Sequence, residues 1–245
     1  MVAQLSLASQ LTNRSIASDV STLPALVPAR DRCLPVDEVF APLLPDAGLQ
    51  RGRVVGCSGP AAWSLALGVI SRAMGTGSWA AFVGTPAIGL EAASELGVTL
   101  ARVVLVDVDG GSSVWAERVA AAADGFELIV TCPPVGAERV ARRVRQRLQA
   151  RGVVLLAVSP STPSLACDVE ISSTAVTWAG IGQGSGYLMA RRVTVAVSGR
   201  RVPHRRECEL LLPCPNGRMR VIEPLDPAGD DWAGDQQTGE LAEVG

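Results

Sequence analysis

The chain contains no lysine; all 22 of its basic residues are arginine. Chemistry that needs an amine base, a Schiff base or a lysine on the β/γ-phosphates of a nucleotide is thereby excluded. Histidine is nearly absent too. His204 stands alone among Arg200, Arg201, Arg205 and Arg206, and reads as a surface imidazole repelled by its neighbours rather than as a catalytic base. No Ser/His/Asp or Cys/His set can be assembled around it. No C-x-x-C pair occurs among Cys33, Cys57, Cys132, Cys167, Cys208 and Cys214. Without clustered ligands they read as buried free thiols rather than as zinc ligands or disulfides. Long apolar runs are missing as well: VVLLAV at 153–158 falls far short of the roughly 20 residues that span a bilayer. The opening residues, MVAQLSLASQLTNRS, lack the charged start, apolar block and small-residue cleavage site of a secretory leader, so the expected location is the cytoplasm.

What is present is a chain of 245 residues, 48% of them hydrophobic, enough for one substantial α/β domain with extensions. Residues 1–30 are rich in Ser, Thr and Asn, with Leu5, Leu11, Ile16, Val20 and Leu23 loosely spaced as on one helix face; they read as an N-terminal arm. The core is expected over 31–222. Apolar strands at 53–57, 79–84, 102–108, 126–132 and 152–158 alternate with helices at 61–74, 88–96, 112–123 and 137–150. Ser112 or Ser113 is placed to cap the third helix and Asp124-Gly125 to stop it. Continuous apolar strands between helices predict a mostly parallel sheet flanked by helices on both faces. Stretches 167–171, 176–178, 189–197 and 208–212 then follow with no helix between them, which predicts antiparallel hairpin strands at the C-terminal edge.

Charge is unevenly spread. After Arg220 there are seven acidic residues and no basic one, whereas the other 17 acids against 22 arginines leave the body at +5. The tail, 223–245, is rich in Pro, Gly and Asp with little to bury except Trp232, its one aromatic side chain, a composition that predicts disorder in isolation. A basic body with an acidic tail suits a protein that works beside nucleic acid or an acidic partner.

A P-loop, G-x-x-x-x-G-K-[ST], cradles phosphate oxygens on backbone N–H groups while its lysine neutralises charge and its hydroxyl holds Mg²⁺. The turn after the first core strand here reads Gly56-Cys57-Ser58-Gly59-Pro60-Ala61-Ala62-Trp63-Ser64. Ala62 and Trp63 fall where Lys-Ser/Thr would stand, and an indole there fills phosphate space. Two other stretches mimic cofactor motifs. Asp107 and Asp109 in VVLVDVDGG suggest a Mg²⁺ pair, yet without a phosphate cradle they read as strand-end and turn carboxylates. The glycines at 180–186 miss the G-x-G-x-x-G spacing and open no helix, so they read as a hairpin loop.

The order of elements resembles the RecA family. Residues 48–55 (GLQRGRVV) are similar to its entry into the first core strand, and 64–70 (SLALGVI) to its P-loop helix. The likeness continues through 79–83 (WAAFV), 96–102 (LGVTLAR), Asp109-Gly110-Gly111 and 126–130 (FELIV), covering 34–212 in all. Residue by residue, the resemblance implies a lost ATPase. Pro86 stands for the catalytic glutamate, Thr131 for the Mg²⁺-linked aspartate, and Ser159-Pro160 for the Asn-Gln pair that senses the γ-phosphate. With Gly56, Gly59, Ala62, Trp63 and Ser64 these make a degenerate nucleotide site with no cofactor and no metal. The segments at the family's DNA-binding loops, 133–136 and 159–164, are too short to clasp a single strand.

Within that family, the arginine-only composition, arm and acidic tail resemble RecA-like accessory proteins of the actinobacterial ImuA-prime type. The resemblance implies a non-catalytic, cytoplasmic and nucleoid-associated component of a DNA-damage-induced mutasome. Its partners would be an ImuB-like inactive Y-family polymerase homologue and, through it, an error-prone C-family polymerase and the sliding clamp. DNA contact would be indirect, and no membrane is implied. Candidate contact residues are Arg139, Arg142, Arg143 and Arg147 on the helix ERVARRVRQRLQARG, and Asp230, Asp231 and Trp232 in the tail. The alternatives are a SulA-like SOS cell-division inhibitor acting on FtsZ, an atypical ATP-binding paralogue, or a DNA-binding module that uses the arginine helix.

Overall fold

The structure is a computed structural model that describes residues 32–161, 165–181, 186–214 and 219–222. The arm at 1–30, the glycine loop at 182–185 and the tail at 223–245, with Asp230, Asp231 and Trp232, lie outside the described residues. The chain divides into Met1–Arg32 and Cys33–Gly245; every element named here belongs to the second unit.

Five short apolar segments form adjacent parallel strands: β3 (Val54–Ser58), β4 (Ala80–Val83), β5 (Val103–Val106), β6 (Leu128–Thr131) and β7 (Val154–Ser159). Their spatial order is β3-β7-β6-β4-β5. The chain therefore moves outward from β3 to β4 to β5, then turns back through β6 to β7. Right-handed crossovers put helices on opposite faces when the direction of travel reverses. Accordingly α1 (Ala62–Gly75) and the short α2 (Leu90–Glu95) cover one face, and α3 (Ser112–Ala122) and α4 (Ala141–Arg151) the other. Alternation along β3 shows the same division, with Val55 and Cys57 packed on the α1 side and Val54 on the α4 side. The α1 side holds Leu65, Ile70 and Met74 against Phe40 and Phe82, and the α3/α4 side is centred on Trp115, Val119, Val144 and Leu148.

The sheet continues beyond β3 through β8 (Val169–Ile181), β9 (Gly186–Ser198), β10 (Arg206–Leu211) and β11 (Arg220–Ile222). β8 runs parallel to β3, while the β8/β9, β9/β10 and β10/β11 pairs are antiparallel. The nine-stranded sheet is thus mostly parallel with an antiparallel C-terminal extension, as the strand pattern predicts.

Four details differ from the sequence reading. The stretches 167–171 and 176–178 are one strand rather than two; the Ser-Ser-Thr between them makes a bulge, with Ser173 opposite Val195 and Ala175 opposite Thr194. The predicted helix 137–150 is split into a 3-10 turn at Ala137–Arg139 and α4 proper, which ends on left-handed Gly152 (φ 67°). Helix α3 has Gly111 at its N-cap with no side-chain cap, so neither Ser112 nor Ser113 serves there. Finally, β1 (Cys33–Pro35) and β2 (Gly48–Gln50) pair as a separate two-stranded sheet, invisible in sequence because three residues are too few for alternation to register.

Candidate functional site

Because β3, β7, β6 and β4 are parallel neighbours, the turns after them lie at one edge of the sheet. That edge is where open α/β sheets hold ligands. It gathers the positions singled out by sequence: Gly59, Ala62, Trp63 and Ser64 after β3, Pro86 after β4, Thr131 at the end of β6 and Pro160 after β7. These positions therefore share one edge of the sheet.

The turn after β3 is bonded within the protein itself. The Ala61 N–H, at the turn entering α1, donates to Ser173 Oγ at 2.8 Å, and that hydroxyl donates onward to the Ser58 carbonyl at 3.1 Å. Ser173 belongs to β8 and is 5% exposed, so the strand beside β3 closes the turn from within. Gly59 has φ 88°, and a Cβ there would run into the Ser173 carbonyl and hydroxyl; the turn fits only glycine because β8 presses on it. Trp63 is half-buried and packs against the α1-side core. Pro86 and Pro160 are exposed.

Thr131 is fully buried, and its Oγ1 accepts the Trp115 indole N–H at 2.7 Å. An aspartate at this position would set a carboxylate under the indole in a sealed core. Threonine satisfies the indole without charge. Among the described residues no group of three or more His, Cys, Asp or Glu side chains is placed to hold a metal ion. Asp107 and Asp109 are exposed beyond the end of β5.

Gly56, in mid-strand, has a different role from the one its sequence position suggests. The Glu170 carboxylate and Cys167 Sγ lie directly over its Cα, leaving no room for a side chain. Glu170 Oε1 accepts the Ser58 hydroxyl at 2.6 Å. Burial raises the Glu170 carboxyl above its usual range, against the opposing bonds from Ser58 and Cys167. Burial, with Glu170 adding its charge, pushes Cys167 up to about 12, and burial raises Cys57 strongly as well. Such thiols are inert rather than nucleophilic. The two sulfurs also project to opposite faces of the sheet, Cys57 to the α1 side and Cys167 to the α4 side. Glu170, Ser173 and Trp115 were not legible as site residues. A glycine interrupting an apolar strand and one glutamate inside another were the available signals, and the parallel β3/β8 register that joins them is tertiary information.

The structure sorts the arginine helix. Arg145 donates to Asp168 at 3.2 Å, and Asp168 also accepts the Val54 N–H, tying α4 to β3. Arg147 and Arg151 both pair with Asp124 beyond the end of α3. Arg147, expected as a contact residue, is thus already engaged within the fold. Arg139, Arg142 and Arg143 are exposed and enter no ion pair among the described residues.

The model of the MT3502 N-terminal domain matches residues 42–164, half of the chain. The chain belongs to the MT3502 family. The match runs from β2 through β7 and so includes the closed turn, Thr131 and the arginine helix, while β8 to β11 lie beyond it. Over 136 residues the chain is 34% identical to the uncharacterized protein Rv3395c of Mycobacterium tuberculosis. The aligned region is 50% of this MT3502-family chain and 65% of that relative. No helix among the described residues is long and apolar enough to cross a membrane.

Proposed function

We propose that this chain is a non-catalytic, RecA-like accessory protein of the ImuA-prime type, acting through protein contacts in a damage-induced mutasome and promoting translesion synthesis. The observation that carries the reading is the turn after β3, whose Ala61 N–H is held by Ser173 where a nucleotide phosphate would need it. Thr131 supports it, being turned into the core by Trp115 at the position the RecA resemblance assigns to a metal-linked carboxylate. Membership of a family with a mycobacterial relative is in keeping with an actinobacterial protein.

On this reading, function falls to surfaces. The β8/β9 hairpin carries Trp178, 45% exposed, and Met189, 58% exposed, on the same face by register, with the Arg191 guanidinium 4.9 Å from the Trp178 ring. An exposed aromatic beside an exposed methionine on a sheet extension is a usable partner surface, and the tail at 223–245 adds a second element. The partner class is an ImuB-like inactive Y-family polymerase homologue. Co-purification with that homologue is the test. The complex should form, and deletion of 223–245 or Trp178→Ala should weaken it; absence of any complex, together with unchanged damage-induced mutation frequency on gene deletion, refutes the proposal.

A further inference from the structure

Arg53, the residue before β3, is half-buried, and its Nε is shut off from solvent with no hydrogen-bond partner. No other buried side-chain nitrogen or oxygen among the described residues is left unpaired. A buried donor without an acceptor is costly, and each one in a native fold calls for an explanation. Arg53 lines a pocket of about 10 Å³ on the α1 side, with Leu44, Leu49 and Val55 as its apolar floor and Arg201 as a second guanidinium. The pocket lies at the start of β3 and β8, away from the turn that follows β3. Arg201 is exposed, and its N–H donates to the Asp168 carbonyl at 3.3 Å, which fixes the turn between β9 and β10 beside β8. No carboxylate lines the pocket, and that of Asp168 is taken by the Val54 N–H and Arg145. Neither Arg53 nor Arg201 enters an ion pair among the described residues.

We propose that this pocket is a phosphate site, in which one oxygen enters beside Arg53 and accepts its Nε–H while Arg201 holds a second oxygen outside. A space of about 10 Å³ admits one oxygen-sized group and no more. A tetrahedral phosphate can place one oxygen inward and still present others to Arg201, whereas the two oxygens of a planar carboxylate are spent on a single guanidinium fork. A lone water would satisfy Nε but leave the second guanidinium without a role. Access to Nε requires a small movement of the wall, and the wall has a strained element. Pro45 and Gly48, which line the pocket, bracket Asp46 and Ala47, both held in the left-handed region at φ 55° and 50° that residues other than glycine rarely adopt. The proposal does not rest on the mutasome reading, because neither arginine belongs to the surfaces that reading uses.

The full-length protein is titrated with inorganic phosphate against chloride at a matched ionic strength of about 0.1 M, and the unfolding temperature is read. Phosphate should raise it and chloride should not. The dissociation constant drawn from that rise should increase about tenfold or more in Arg53→Met and in Arg201→Met, each of which removes a charge-assisted bond. In chloride, Arg53→Met should be at least as stable as wild type, since methionine leaves no buried donor unpaired, so the two curves cross as phosphate is added. Arg143→Met, on α4, should respond as wild type does. Fluorescence anisotropy of a labelled oligothymidylate then separates the sources of the phosphate. Binding that is lost in both pocket variants assigns a nucleic-acid backbone, and phosphate stabilisation without such binding assigns a free phosphate. No phosphate-specific rise, a rise unchanged in both pocket variants, or an Arg53→Met protein less stable than wild type in chloride would each overturn the proposal.

Discussion

Thr131→Val isolates the buried bond between β6 and α3. Valine nearly reproduces the shape of threonine, so packing changes little, but the Trp115 indole N–H loses its acceptor in a place where both residues are at most 1% exposed. A buried donor left unpaired costs about 1–3 kcal/mol. For a domain of this size 2 kcal/mol corresponds to a fall in Tm of about 4–8 °C. Urea unfolding read by circular dichroism measures the difference directly. Thr131→Ser retains the oxygen and should lose only the methyl packing, so it should fall between wild type and valine. Thr131→Asp should be the worst of the three, since it buries a carboxylate, and it should not create Mg²⁺ binding. If Thr131→Val is within about 0.5 kcal/mol of wild type, the indole has another partner and the acceptor role assigned to Thr131 is wrong.

Gly59→Ala should destabilise by about 2–4 kcal/mol, from left-handed backbone strain and collision with Ser173 together. Gly75→Ala, which meets nothing within 4 Å, should be neutral or mildly stabilising; equal effects at the two positions would contradict the closed turn. Glu170→Gln tests the buried carboxyl by pH. A raised folded-state value means the folded protein holds this proton more tightly than the unfolded chain, so the group's contribution is fully present below about pH 4.3 and is lost as pH rises through the folded value. The glutamine variant should therefore match wild type near pH 4 and gain on it toward neutrality; a gain by wild type over that range would refute the assignment. Calorimetric titration with Mg²⁺-ATP should give no binding heat, and Ala62→Lys with Trp63→Ser should not restore it while Ser173 holds the Ala61 N–H. Micromolar affinity in either protein would overturn the closed-turn reading.

Sequence by itself determined the alternation of apolar strands and helices, the sheet with its hairpin extension, the inert cysteines' lack of any metal spacing, and the absence of a lysine for a phosphate. These are local or compositional properties. Periodicity reports which face a segment buries, and a missing residue type is missing in every fold. Tertiary structure decided the rest. It supplied the hydroxyl of Ser173, 112 positions from Ala61, that fills the turn. It supplied the glutamate over Gly56 and the indole beneath Thr131, and it separated the paired arginines Arg145, Arg147 and Arg151 from Arg139, Arg142 and Arg143, which enter no ion pair among the described residues. Each depends on strand order and register, which bring distant residues into contact and which no short window of sequence contains. Composition could say that the chain has no lysine to offer a phosphate; only the packing of β8 against β3 could say what holds the turn after β3.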